Sequence, residues 1–234
     1  MKDKPLGRLK LLTVVCLYPL RADGPRKLSS GRLLLAMLRP LMWAKWELDG
    51  LSGSSVPVFP SRFALLEHAL KLVQPDGLRL EFGVYQGESV NHLASVDGMR
   101  WFGFDSFEGL PSRWELSFTK GKFTTHGALP PVRNNVTLVK GWYSDTIPDF
   151  VRSMGQIHVA FLHIDCDLYQ SARTVLSALG DGISAGTIIV FDEYAGITPD
   201  DEARAFREWR ALSGHECEFV GCSAYGSVAI RILG

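Results

Sequence analysis

Four carboxylates stand where two apolar runs end. The first run, Phe161-Leu-His163-Ile-Asp165-Cys-Asp167-Leu-Tyr169, closes on acids at i and i+2, and the second, Ile188-Ile-Val-Phe-Asp192-Glu193-Tyr194, closes on adjacent acids. In a parallel sheet, neighbouring strands end on one edge, where ligands bind. Acids gathered there repel one another unless protons or a cation compensate. Oxygen-only donors favour a hard cation such as Mg²⁺; solvated loop acids and helix caps are the structural alternative.

A second group precedes them. In Glu81-Phe-Gly83-Val-Tyr85-Gln-Gly87-Glu-Ser89 a strand ends in an acid and two glycines lead into a helix. Glycine permits a sharp turn and close approach to a ligand, and a helix N-terminus favours anionic groups. The glycines stand four apart with none between, which is not the three-glycine dinucleotide fingerprint. An acid before the loop suits a ligand carrying an ammonium group. Some twenty residues on, Gly103-Phe-Asp105-Ser106-Phe-Glu108-Gly109 puts an acid at the next strand tip, where a ribose offers its hydroxyls. The two stretches describe a site for an adenosine-like ligand with a charged tail.

The elements that position these residues follow from periodicity. Candidate strands are Leu78 to Val84, Arg100 to Phe104, Val136 to Lys140, Ile157 to Ile164 and Thr187 to Phe191. Helical patterns start at Ser61 and near Gln86, Asp145, Tyr169 and Asp200, and the first stops at Pro75. Glu216 to Val220 and Ser227 to Leu233 are separated by a short turn and should form an antiparallel hairpin. The expectation is an α/β three-layer sandwich with a seven-stranded, mostly parallel, Rossmann-like sheet closed by that hairpin. Residues 106 to 135 lack a helical period, and a loop of this length suits a lid or binding segment. Trp114, Phe118 and Phe123 in it, with Trp43 and Trp46, could form an apolar lid, although core packing explains the last two equally well.

Composition bounds the class. The 234 residues are 46% hydrophobic and 21% charged, which fits a folded domain and excludes disordered or low-complexity chains. Formal charge is zero but uneven: residues 1 to 46 hold ten Lys and Arg against Asp3 and Asp23, leaving 15 bases and 23 acids beyond. That stretch is expected to pack on an acidic body, its own or a neighbour's, or to meet an anionic surface or substrate. Nucleic acid is a poor partner, because no binding motif or interleaved aromatics accompany the bases. The division expected is 1–52, a basic, apolar helical segment for assembly or lid duty, and 53–234, the catalytic domain, with a homo-oligomer as the assembly. Cys16, Cys166, Cys217 and Cys222 lack metal-pair spacing and read as reduced thiols of a cytoplasmic protein. The apolar runs Leu11 to Leu20 and Leu33 to Trp43 are too short to span a bilayer, so no stable membrane insertion is expected.

The order of Glu-x-Gly-x-x-x-Gly, Gly-Phe-Asp-Ser-Phe-Glu-Gly-Leu-Pro, Lys-Gly-Trp-Tyr-Ser-Asp-Thr-Ile-Pro, Ile-Asp-x-Asp-Leu-Tyr and Phe-Asp-Glu-Tyr resembles the macrocin O-methyltransferase family of class I S-adenosylmethionine-dependent enzymes. The resemblance runs from about Val56 to the end and implies S-adenosylmethionine as donor, Mg²⁺ in the site and a sugar hydroxyl on a glycosylated natural product as acceptor. The acceptor class expected is a sugar or other polyhydroxylated small molecule. It implies that Glu81, Gly83 and Gly87, with Tyr85 and Ser89 in the same loop, line the methionine end. Asp105 would hold the ribose, Ser106 would sit beside the adenosine, and Trp142, Tyr143 and Ser144 would border the adenine. Asp165, also beside the donor, matches a metal position together with Asp192 and Glu193, where the family more often has two Asp at the last pair. Asp165 or Asp167 would take the acceptor's proton, with His126 as an alternative base. A nicotinamide-dependent oxidoreductase is disfavoured by the missing middle glycine and the lack of Tyr-x-x-x-Lys. A catalytically silent donor-binding subunit is the remaining alternative.

Overall fold

The computed structural model describes residues 56–114, 118–194, 201–223 and 226–234. The N-terminal helical segment, Trp43 and Trp46, and the assembly role assigned to residues 1–52 lie outside these.

Eight strands form one sheet: β1 (Val58–Phe59), β2 (Leu78–Phe82), β3 (Trp101–Asp105), β4 (Val136–Lys140), β5 (Val159–Ile164), β6 (Ile188–Phe191), β7 (Cys217–Ser223) and β8 (Val228–Ile232). Their order is β1-β7-β8-β6-β5-β2-β3-β4. Only β8 among them runs against the others, pairing antiparallel with both β6 and β7. The sheet has one strand more than periodicity predicts. β1 is two residues between Pro57 and Pro60, too short to show alternation, and it forms on the edge because β7 offers Cys222 and Ser223 as partners.

Five α-helices flank the sheet among the described residues: α1 (Arg62–Leu70), α2 (Glu88–Asp97), α3 (Tyr143–Met154), α4 (Tyr169–Leu179) and α5 (Asp201–Ser213). Leu65, Leu66 and Ala69 of α1 and Val90, Leu93 and Ala94 of α2 pack with Trp101, Phe161 and Val190 on one face. Ile147 and Phe150 of α3, Val175 and Leu176 of α4, and Phe206 and Trp209 of α5 pack with Leu80, Phe82, Phe104 and Phe191 on the other. Strands buried on both faces explain why β5 and β6 read as continuous apolar runs. The result is the expected three-layer sandwich, and residues 106–114 and 118–135 contain neither helix nor strand.

The sheet's middle positions the site. β2 lies between β3 and β5, and β5 pairs in turn with β6, so the C-terminal tips of all four reach one edge. The chain returns after β3 to β4 on one side but crosses to β5 on the other side of β2, a change of direction that opens a crevice.

Candidate active site

A cavity of about 980 Å³ occupies this crevice, lined by Gly83 to Gln86, Asp105, Ser106, Trp142 to Ser144, Asp165 to Leu168, Asp192 and Glu193. The turn after β2 is held by backbone chemistry. Gly83 (φ 100) lies so near β5 that a Cβ would sit 1.7 Å from the Asp165 carbonyl oxygen, so no other residue fits. Gly87 (φ 82) caps α2 in a left-handed conformation. Asp105 fastens the loop from the side: Oδ2 accepts the Val84 and Tyr85 N–H groups at 2.9 and 2.8 Å, and Oδ1 accepts the Phe107 N–H at 2.7 Å. One lone pair remains on Oδ1 for a ligand.

Glu81 and Gly87 are not among the residues lining the cavity. The Glu81 carboxylate is fully buried; Oε1 accepts from Ser89 Oγ at 3.0 Å and Oε2 lies 2.9 Å from His163 Nδ1. Ser89 does line the cavity and relays the Glu81 position to its wall. Tyr85 stacks edge-on against Phe123, with ring centroids 5.6 Å apart. Trp142 is half-exposed at the N-cap of α3, and Tyr143 packs edge-on against Phe82. Ser144 Oγ donates to Asp145 Oδ1 at 3.0 Å. On the outer wall Trp114, Phe118 and Phe123 form a ladder of rings, with centroids 5.2 and 5.7 Å apart, that packs on Leu110 and Leu168.

The acid end is assembled by long-range contacts. Asp165 and Asp192 lie on neighbouring strand tips, and His163, one pleat before Asp165, joins them; potential ligand atoms of the three lie within 4.8 Å of one another. Arg62, the first residue of α1, enters between the carboxylates: Nη1 donates to Oδ2 of Asp165 and to Oδ2 of Asp192, both at 3.1 Å. Burial first, then the Asp192 charge, pushes the Asp165 carboxyl well above the usual carboxylate range against the pull of His163 and Arg62. Burial pulls the His163 imidazole down, but the Glu81 hydrogen bond and charge raise it net, and Nε2 is a buried atom without a hydrogen-bond partner.

Glu202 of α5, fully buried, ties the acid loops together. Oε1 accepts the Cys166 and Asp167 N–H groups at 3.1 and 3.2 Å, and Oε2 accepts that of Glu193 at 3.0 Å. Asp167 (φ 63) is held in the left-handed region, a conformation that costs of order 1–3 kcal/mol and tends to mark functional positions. His126, exposed in the long loop, is not among the residues lining the cavity.

Two carboxylates and an imidazole nitrogen in one cluster form a donor set suited to a divalent cation, the carboxylates to Mg²⁺ or Mn²⁺ and the imidazole extending the range to softer ions. Glu193 lines the cavity but is not in that cluster. Arg62, His163 and Glu202 are the functional candidates that the sequence reading passes over. Only His163 carried a signal, since it stands two residues before Asp165 and shares its face of the strand.

This sheet, with its glycine turn at the switch point, is the class I methyltransferase fold. The calicheamicin methyltransferase CalS11 superposes with a TM-score of 0.59 at 21% identity, covering 100% of this chain and 95% of that one. The O-methyltransferase NovP gives 0.56 at 20% identity, covering 74% and 80%. The family model for macrocin-O-methyltransferase matches residues 120–218. It bears out the resemblance carried by the motifs and with it the enzyme class, an S-adenosylmethionine-dependent O-methyltransferase. A relative from Streptomyces olivaceus, 8-demethyl-8-(2,3-dimethoxy-alpha-L-rhamnosyl)-tetracenomycin-C 4'-O-methyltransferase, is 24% identical over 190 residues, 68% of this chain and 70% of its own length. No helix among the described residues is long and apolar enough to cross a membrane.

Proposed function

We propose that the enzyme methylates a hydroxyl of a sugar on a glycosylated small molecule, with Mg²⁺ at the acid end. The observation that carries this reading is the convergence of Asp165 and Asp192 in the cavity whose other end is the glycine loop. CalS11, a TDP-rhamnose 3'-O-methyltransferase, and the rhamnosyl-tetracenomycin 4'-O-methyltransferase favour a sugar hydroxyl as the acceptor. The aromatic ladder of Trp114, Phe118 and Phe123 offers the apolar wall that a sugar face packs against.

In this reading the glycine loop, with Gly83, Tyr85, Gly87 and Ser89, cradles the methionine end of the donor, and Glu81 acts there through Ser89. Asp105 and Ser106 take the ribose, and Trp142, Tyr143 and Ser144 border the adenine. Asp165 and Asp192 would hold the metal, with Glu193 beside them, and the ion would supply a Lewis acid that lowers the pKa of the acceptor hydroxyl. As the C–O bond forms and the S–CH₃ bond breaks, the hydroxyl proton passes to a carboxylate. Asp167, fixed by its strained backbone and the Glu202 tie, serves that step, with Asp165 the nearest substitute. His126 stands outside the cavity and takes no part. S-adenosylhomocysteine leaves by the open face.

The test is methyl transfer from labelled S-adenosylmethionine to a panel of glycosides and their aglycones, with Mg²⁺ or with excess chelator. Transfer to glycosides alone, abolished by chelation, is expected. Full transfer in chelator removes the metal from the scheme, and equal transfer to aglycones removes the sugar. Donor binding without any transfer points instead to a silent subunit.

A further inference from the structure

The cation that the acid end needs is already supplied by the chain. Oδ2 of Asp165 and Oδ2 of Asp192 accept from one atom, Arg62 Nη1, at 3.1 Å each. The cluster that would hold a divalent ion draws on these same two carboxylates, so the guanidinium and the ion would compete for their charge. The guanidinium also has somewhere else to go. Its Nη2 lies 3.8 Å from Glu88 Oε2, on a side chain 75% exposed at the first residue of α2, and its carbon sits 5.1 Å above the Phe63 ring. The backbone beneath it is fixed, because Ser61 Oγ caps α1 by accepting the Ala64 N–H at 3.2 Å. What can move is the side chain, about one third exposed and lining the cavity.

We infer that Arg62 is a built-in counter-cation that sits between Asp165 and Asp192 where a divalent ion would be held and swings to Glu88 when the ion enters. The inference rests on the Mg²⁺ reading above. Arg62 relieves the repulsion between Asp165 and Asp192. Its presence also sets a threshold for loading, because the ion must displace a charged, doubly hydrogen-bonded group before it gains its own ligands. Glu88 lowers that threshold by receiving the displaced charge.

The test is direct binding of Mn²⁺, followed by electron paramagnetic resonance on the full chain without donor or acceptor. Removing the competing cation in Arg62→Gln should tighten Mn²⁺ binding at least ~10-fold, the scale on which groups around a metal set its affinity. The same variant should melt below the wild type without metal and recover when Mn²⁺ is added. Arg62→Lys, which keeps the charge, should stay close to the wild type in both measurements. Glu88→Gln should weaken Mn²⁺ binding about 2- to 3-fold, as an exposed charge pair allows. Equal or weaker Mn²⁺ binding in Arg62→Gln, with binding lost in Asp165→Asn, overturns the counter-cation and leaves the metal reading intact. Absence of Mn²⁺ binding in both wild type and Arg62→Gln overturns the two together.

Discussion

The two ends of the cavity are built by different means. At the glycine-loop end, charge is met by backbone: the Asp105 carboxylate accepts three N–H groups from residues no more than 21 positions away. At the acid end, the Asp165 and Asp192 charges are met by a side chain, and the loops that carry them are tied down, from distant helices. Arg62 reaches Asp165 and Asp192 across 103 and 130 residues, and Glu202 reaches back 36 residues to Cys166. The first arrangement is rigid and ready before any ligand arrives. The second can exchange one compensating group for another, which suits the metal and proton chemistry proposed for that end.

The contrast can be broken at either end. The largest effect should come from Asp165→Asn, which keeps the size and removes the charge. Turnover should fall at least ~100-fold, because the metal that would lower the acceptor's pKa is lost with its ligand, while calorimetric titration finds S-adenosylmethionine binding unchanged. A parallel loss of donor binding would show that the two ends are not separable. Asp105→Ala should do the reverse, weakening donor binding by about 1.5–3 kcal/mol, the range for hydrogen bonds to a charged group. Because Asp105 also fastens the loop, the Val84 and Tyr85 amides should exchange faster with solvent. If they do not, the loop stands without its clamp.

The smallest effect concerns pH. His163, raised above the ordinary 6.5 by Glu81, binds its proton more tightly folded than unfolded. Its contribution to stability is therefore complete below pH 6.5 and is lost as pH rises through the raised value. The raised Asp165 carboxyl acts with the same sign from lower pH upward. The metal-free melting temperature should accordingly fall as pH rises above neutrality, and His163→Gln should flatten the upper part of that slope. A melting temperature that climbs over this range would contradict the assignment.

The same contrast decides what was legible in the sequence. β4 falls where its β-branched run predicts, and the tips of β2, β3, β5 and β6 fall within a residue or two, because buried parallel strands write themselves as short apolar runs. The glycine turn and Asp105 are local, so spacing alone brings them together. Asp165 and Asp192 could be paired because parallel neighbours end on one edge. Arg62 opens an ordinary amphipathic helix, and Glu202 looks like any acid in a first helical turn. Nothing in their surroundings marks them, and only the closed fold shows what they reach. β1 escaped for a different reason: a two-residue strand has no period to read.

The Glu202 tie also puts the site's maturation in order of time. The N–H groups of Cys166, Asp167 and Glu193 find an acceptor on α5, which follows every strand of the sheet except β7 and β8. As the chain leaves the ribosome, β2, β3 and β4 can already bring Asp105 to its loop, whereas the acid loops must wait for the helix that begins at Asp201. Pulse-labelled hydrogen exchange during refolding should find the Val84 and Tyr85 amides protected before those of Cys166 and Glu193. Newly made enzyme would thus pass through a stage able to hold its methyl donor and unable yet to use it.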